Sequence, residues 1–122
     1  MATILIVEDT PDNAELARKI LAAQGYQVIE ASNAETGYQL ALDQRPDLLL
    51  LDLGLPDHDG LTLAGWLRAE PSLDDMVIIA FTAWPPENVQ QMAESYGCNG
   101  FISKPIVSVN DFVAQIDTYL KK

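Results

Sequence analysis

Five short apolar runs, separated by amphipathic stretches, constrain the fold of this chain more than any other feature of its sequence. The runs span residues 4–7, 27–31, 48–53, 77–81 and 100–102. The first, third and fourth are continuous rather than alternating in hydrophobicity. That pattern is typical of strands covered on both faces, as in parallel sheets.

The stretches between and after these runs carry apolar residues at helical spacing, which predicts five amphipathic helices. Each helix should turn its apolar stripe towards the strands. The residues expected to mark these stripes are, helix by helix, Leu16, Ile20 and Ala23; Tyr38, Ala41 and Leu42; Leu63, Trp66 and Leu67; Val89, Met92, Ala93 and Tyr96; and Phe112, Ile116, Tyr119 and Leu120.

Capping signals support these helices. Asn33 is a candidate N-cap for the second helix, and Gly25 and Gly97 are candidate C-caps for the first and fourth. Lys121 and Lys122 would be favourably placed at the negative end of the last helix.

The order of elements is therefore strand–helix, repeated five times. This alternation predicts an α/β fold: a doubly wound (βα)5 three-layer sandwich with a parallel five-stranded sheet and right-handed crossovers. A length of 122 residues suits one domain, spanning residues 1–122. In such sheets ligands bind beyond the carboxyl ends of the strands, so chemistry is expected at that edge.

Composition excludes several functions. Seven basic residues face eighteen acidic ones, a net charge of −11, so we expect no binding to nucleic acid. No apolar run approaches the roughly 18 residues needed to span a membrane, and the first residues lack a basic signal-peptide region. Cys98 is the single cysteine, so no intrachain disulfide is expected. These features fit a cytoplasmic protein.

Polar residues stand at the ends of four of the five predicted strands. Glu8 and Asp9 follow the first run, Asp52 ends the leucines of the third, Thr82 follows the fourth and Lys104 the fifth. Three carboxylates at one edge repel one another unless a cation neutralises them. Mg²⁺ prefers such oxygen ligands, and a lysine supplies a fixed positive charge. The set predicts a phosphoryl-transfer site, with Asp52 as the nucleophile.

Each of these residues also has an ordinary structural explanation. Glu8 and Asp9 could cap a helix, Asp52 could open a turn, Thr82 could end a strand and Lys104 could be solvated. Together these explanations need four coincidences at one sheet edge, which favours the site.

The polar turn after Asp52 is expected to be structural. Asp57 and Asp59 precede the third helix, where solvated or capping carboxylates are common, and Asp12 is interpreted in the same way. His58 lies in the same turn and is expected to be solvated rather than phosphorylated.

At this point the sequence resembles the receiver domain of two-component response regulators. The resemblance rests on four motifs: ILIVEDTPDN (4–13), PDLLLLDLGLPDHDG (46–60), IIAFTA (78–83) and GFISKPI (100–106). It covers nearly the whole chain and implies the flavodoxin-like strand order 2-1-3-4-5. It also implies that Asp52 is the phosphoacceptor, charged by a histidine kinase or a histidine phosphotransfer protein.

The resemblance assigns the metal ligands residue by residue. Asp9 and Asp52 would bind Mg²⁺, or Mn²⁺ in its place, through their carboxylates. Gly54 would bind it through its backbone carbonyl, and Glu8 through a water molecule.

The phosphoryl group would be held, by the same resemblance, by Thr82, the backbone N–H of Ala83 and Lys104. The bond before Pro105 would be cis. Thr82 would move towards the phosphoryl group and Phe101 would turn inward with it, changing the face formed by helix 4, strand 5 and helix 5.

Two positions next to the site differ from common choices in the family. Gly54 and Trp84 would tune the lifetime of the phosphorylated state, because they flank the approach of water.

The function implied is a bacterial signalling switch that works by binding a partner protein. It would be no enzyme beyond catalysing its own phosphorylation and dephosphorylation. Because the chain stops at Lys122, we expect a stand-alone regulator, a monomer or weak dimer, whose downstream target the sequence does not identify.

Three alternatives remain open at this stage. A haloacid-dehalogenase-type phosphatase would need a second acid where Gly54 stands. A flavodoxin-like cofactor binder would need a phosphate loop where the sequence is the acidic VEDTPDN (7–13). A receiver-like scaffold that is never phosphorylated would keep the fold without using Asp52.

Overall fold

Strands and helices alternate along the chain as predicted. The computed structural model describes residues 2–120, with the backbone alone at positions 86 and 88. The elements are β1 (Thr3–Val7), α1 (Pro11–Ala23), β2 (Gln27–Ala31), α2 (Ala34–Gln44), β3 (Leu48–Asp52), α3 (Gly60–Arg68), β4 (Val77–Thr82), α4 (Pro86–Ser95), β5 (Gly100–Ser103) and α5 (Val109–Leu120), with a short 3-10 helix (Pro71–Leu73) before β4.

The sheet confirms the predicted fold class. Its five strands are all parallel and are ordered β2-β1-β3-β4-β5. The central strand β3 is buried along its whole length, as its run of leucines predicts. One helix layer contains α1 and α5, and the other contains α2, α3 and α4. Alternate residues of β1 and β3 enter the two core layers: Ile4, Ile6, Leu48 and Leu50 face α1 and α5, and Leu5, Val7, Leu49 and Leu51 face the other three helices.

The buried stripe of α1 differs from the prediction. Leu16 is 44% exposed, and Ala23 is exposed at the end of the helix. The face against the sheet is instead formed by Ala14, Ala17 and Leu21, together with the correctly predicted Ile20. The choice of Leu16 was wrong because hydrophobicity alone favoured a large side chain over the small alanines that let a helix pack closely on a sheet.

The stripe of α4 is also narrower than predicted. Val89 and Ala93, four residues apart, are buried, whereas Met92 and Tyr96 are 41% and 48% exposed. Met92 lies to one side of the buried pair on the helix, and Tyr96 is the C-cap residue beyond the last turn. Both predictions of burial were wrong.

The predicted N-cap of α2 is confirmed, whereas Gly25 and Gly97 lie one residue beyond the C-cap residues of α1 and α4, Gln24 and Tyr96. Asn33 accepts a hydrogen bond from the Thr36 N–H at 2.8 Å, at the start of α2. Gly25 and Gly97 follow α1 and α4 with φ angles of +93° and +96°, which glycine adopts without strain. The predicted role of Lys121 and Lys122 falls outside the described residues. Within residues 2–120, no helix is long and apolar enough to cross a membrane.

Candidate functional site

Four of the predicted side chains meet beyond the carboxyl ends of β1, β3 and β5. Lys104 Nζ lies 2.8 Å from Glu8 Oε1 and 3.2 Å from Asp52 Oδ1. Carboxylate oxygens of Glu8, Asp9 and Asp52 all lie within 4.8 Å of one another. The structure therefore brings together the three acids and the lysine that the sequence places at separate strand ends.

The register of β1 and β3 explains why two of the acids are neighbours. Val7 is paired with Leu51, so Glu8 and Asp52 are the next residues along adjacent strands. Glu8 is only 2% exposed, and its second oxygen accepts a hydrogen bond from the Thr10 N–H at 3.1 Å. The N-cap of α1 is Thr10, so the Glu8 and Asp9 side chains are not its N-cap.

The loop after β3 holds Asp52 in place through two glycines. The Gly54 N–H donates a hydrogen bond to Asp52 Oδ1 at 3.1 Å. Gly60, at the start of α3, donates from its N–H to the Leu53 carbonyl at 3.0 Å. A Cβ atom at Gly60 would lie 2.3 Å from the Asp52 carbonyl oxygen, so only glycine fits this approach.

Lys104 reaches the acids from the end of β5. Its backbone N–H donates to the Thr82 carbonyl at 2.8 Å, and its bond to Pro105 is cis, as the resemblance implied. Its Nζ lies 5.3 Å from the centre of the Phe81 ring, and only 12% of its side chain is exposed. The ammonium is thus partly withdrawn from water and fixed between two carboxylates.

Thr82 ends β4, directly beside β3. It follows Phe81, which is paired with Asp52, and it is 2% exposed. Its Oγ1 accepts a hydrogen bond from the Trp84 N–H at 3.1 Å, across Ala83. Trp84 itself is 40% exposed. The Thr82 hydroxyl, which is predicted to bind a phosphoryl group, therefore belongs to the residue that follows the β4 partner of Asp52, at the same edge of the sheet.

Phe101 lies in β5, paired with Ala80 of β4. It is half-buried and packs against the core layer under α2, α3 and α4. Its predicted role as a switch stays a prediction.

The electrostatics of the cluster favour an ionised Asp52. Burial raises its pKa, but the hydrogen bond from the Gly54 N–H and the charge of Lys104 together bring that pKa below its ordinary value. Burial raises the pKa of Glu8 and of Asp9, and the Asp52 charge raises both further. Burial would lower the pKa of Lys104, but the hydrogen bond from its ammonium to Glu8 and the charge of Asp52 raise it overall.

Sequence reasoning missed a contact made by the polar turn after β3. Asp59 caps its own helix α3, accepting from the Leu61 N–H at 2.8 Å. Asp57 instead caps α2, accepting from the N–H groups of Ala34 at 2.8 Å and Glu35 at 3.0 Å. These two bonds join residues 23 and 22 positions apart, so no local motif reveals them.

Comparison with known proteins agrees with the geometry. A family model described as the response regulator receiver domain matches residues 4–117. The polar-differentiation response regulator DivK of Brucella anthropi is 37% identical over 118 residues, covering 97% of this chain and 95% of DivK.

Solved structures share the fold. A CheY-like response regulator receiver domain protein from Methanospirillum hungatei is 27% identical, with a TM-score of 0.89, covering 98% of this chain and 94% of its own. The receiver domain of the sensor histidine kinase PA1611 from Pseudomonas aeruginosa has a magnesium ion coordinated in its active site cleft. It is 26% identical, with a TM-score of 0.89, covering 99% of this chain and 98% of its own.

The match over residues 4–117 and the relative at 37% identity agree with the parallel sheet and with the acids and lysine at its edge. They favour a receiver over the flavodoxin-like cofactor binder and the haloacid-dehalogenase-type phosphatase. The chain belongs to the response regulator receiver domain family and is a receiver of two-component signalling.

Proposed function

We propose that this receiver is a phosphorylation-activated switch in which Asp52 accepts a phosphoryl group from a phosphohistidine. The donor would be a histidine kinase or a histidine phosphotransfer protein. One Asp52 carboxylate oxygen attacks phosphorus; the O–P bond forms as the P–N bond to the donor imidazole breaks, and the imidazole keeps the electron pair. The observation that carries the proposal is a buried Asp52 whose pKa is lowered, in contact with Lys104 and next to two further acids.

The residues at the edge fit a divalent cation. Three carboxylates and one lysine leave a formal charge of about minus two, and all the donor atoms are hard oxygens. Asp9, Asp52 and the Gly54 carbonyl would hold Mg²⁺ or Mn²⁺ directly, and Glu8 through water. When bound, the ion supplies positive charge that offsets the charge of the phosphoryl oxygens.

The remaining residues would bind the transferred group and relay its presence. Lys104 would turn from Asp52 to a phosphoryl oxygen, and Thr82 and the Ala83 N–H would bind others. Movement of Thr82 would let Phe101 turn inward and change the α4–β5–α5 face, where a partner protein binds. Trp84 and Gly54 would set how easily water reaches the phosphoryl group. No other catalysis is proposed.

Labelling with acetyl phosphate tests the acceptor. Wild-type chain with Mg²⁺ should take up acid-labile phosphoryl label, and Asp52→Asn should take up none. Asp57→Asn is the matched control, because it removes an exposed acid five positions away that caps α2 instead. Full labelling of Asp52→Asn would overturn the proposal.

Backbone amide NMR tests the output face. Mg²⁺ with beryllofluoride, which mimics a phosphoryl group, should shift amides of Phe101 and of α4, β5 and α5 as well as those at the site. Shifts confined to the sheet edge would contradict the relay. A pull-down that recovers the same partner equally with phosphorylated and unphosphorylated protein would favour the scaffold that never uses Asp52.

A further inference from the structure

A cleft on the outer side of α2 and α3 takes no part in the proposed switch. It has a volume of about 660 Å³ and is lined by Glu35, Thr36, Tyr38, Gln39 and Trp66. None of these residues is assigned a role in the switch, so the cleft needs a separate explanation.

Two of the lining residues, Tyr38 and Trp66, are aromatic. Tyr38 and Trp66 pack edge to face, with ring centres 5.8 Å apart and planes at 76°. The His58 ring meets Trp66 in the same way, at 4.8 Å and 70°. All three residues are half-buried, so the rings are fixed by their neighbours while part of each remains in contact with solvent. Such rings offer a rigid apolar surface whose faces attract cations.

Carboxylates surround these rings. The Glu35 side chain is 74% exposed, with Oε2 lying 3.3 Å from His58 Nε2. Glu70 accepts a hydrogen bond from the Tyr38 hydroxyl at 3.1 Å. No lysine or arginine is among the lining residues within the described part of the chain. The cleft therefore combines aromatic rings with the Glu35 carboxylate, which contacts His58, on a chain whose net charge is −11.

We infer that this cleft binds an arginine side chain of a partner protein. A guanidinium is planar and stacks on aromatic rings while its N–H groups pair with a carboxylate, which is the combination that Trp66, Tyr38 and Glu35 present. Lysine lacks the flat surface, and an acidic segment would be repelled. The inference does not depend on phosphorylation, and it assigns a second docking surface separate from the α4–β5–α5 face.

Titration with small peptides tests it without Mg²⁺ or a phosphodonor. The chain has two tryptophans, so Trp84→Phe leaves Trp66 as the only reporter. The probes are acetyl-Gly-Arg-Gly-amide, its lysine analogue and its citrulline analogue, which keeps the shape of arginine without its charge. The arginine peptide should change Trp66 fluorescence and its indole N–H resonance saturably. The citrulline peptide should bind about fivefold more weakly, and the lysine peptide more weakly than arginine.

A charge-neutralising variant separates local recognition from general attraction to an acidic protein. Glu35→Gln should weaken arginine binding about threefold, whereas Glu94→Gln, an exposed acid on α4, should leave it unchanged. Melting curves of both variants check that the fold is kept. Equal weakening by the two variants, citrulline or lysine binding as tightly as arginine, or a Trp66 signal that never saturates would each overturn the inference.

Discussion

Replacing Lys104 by methionine is the sharpest test of how the acidic cluster is held together. The substitution keeps an unbranched apolar stem and removes the ammonium that lies 2.8 Å from Glu8 and 3.2 Å from Asp52. It leaves two buried carboxylates, side chains 0% and 9% exposed, facing each other without a cation. The metal-free protein should therefore be destabilised.

The expected size follows from the burial of the pair. Unit charges about 3 Å apart attract by roughly 5 kcal/mol at an effective dielectric constant of about 20, but the cost of burying them cancels most of this. Removing one partner of a buried pair costs about 3–5 kcal/mol. Because 12% of the Lys104 side chain still reaches solvent and Asp9 is exposed, we expect a loss of about 2–4 kcal/mol in the free energy of unfolding. For a chain of 122 residues that lowers Tm by roughly 8–16 °C.

Urea and thermal unfolding in metal-free buffer measure this loss. Lys19→Met is the matched control, because the Lys19 side chain is 65% exposed and pairs at 3.7 Å with Glu15, whose side chain is 56% exposed. Its effect should stay within about 0.5 kcal/mol. Adding Asp52→Asn to Lys104→Met should recover part of the lost free energy of unfolding, because the second substitution removes one of the two unpaired carboxylate charges. A Lys104→Met protein as stable as Lys19→Met would refute this account of the cluster.

Three further predictions concern metal, the phosphorylated state and the thiol. Mg²⁺ should raise the Tm measured by calorimetry, because the ion neutralises carboxylates that repel one another. The rise should be smaller in Asp9→Asn than in wild type, and an equal rise in both would argue against Asp9 as a metal ligand. Mg²⁺ with beryllofluoride should change Trp84 fluorescence in Trp66→Phe protein, and an unchanged spectrum would argue against Trp84 flanking the site. Burial raises the pKa of the Cys98 thiol from 9.0 to about 11. Below pH 9 the reactive thiolate is therefore about a hundredfold scarcer in the folded protein than in the unfolded chain. Iodoacetamide should alkylate Cys98 at least about a hundredfold more slowly in the folded protein than in the unfolded chain. Any contribution of this shift to the free energy of unfolding is present below pH 9 and is lost as the pH rises towards 11. Alkylation of the folded protein at the same rate as the unfolded chain would contradict the burial of Cys98.

Strands and strand ends were predictable because the physics that sets them is local. Four leucines before Asp52 are typical of a strand covered on both faces, and parallel strands bring their carboxyl ends to one edge. That rule places Glu8, Asp52 and Lys104 at the same edge of the sheet, although Lys104 lies 96 positions from Glu8. The strand order came from the family resemblance, because periodicity does not say which strands are neighbours.

Other features depend on tertiary packing and leave no local signal. Leu16 is exposed because alanines fill the face of α1 against the sheet. Asp57 caps α2 across 23 residues, and no motif joins those positions. The aromatic cleft arises because α2 and α3 become neighbours in space, which brings Tyr38 against Trp66. In each case the residues can be picked out in the sequence, but their contact partners are set by tertiary packing.

Locating the phosphoryl group chemically tests the central claim most directly. Chain phosphorylated with acetyl phosphate and Mg²⁺ is reduced with borohydride, which converts a phosphorylated aspartate to homoserine, and its peptides are analysed by mass spectrometry. We predict homoserine at position 52 and nowhere else. Homoserine at Asp9, Asp57 or Asp59 with Asp52 unmodified, or no modified aspartate in protein that carries the label, would contradict the assignment of Asp52 as the phosphoacceptor.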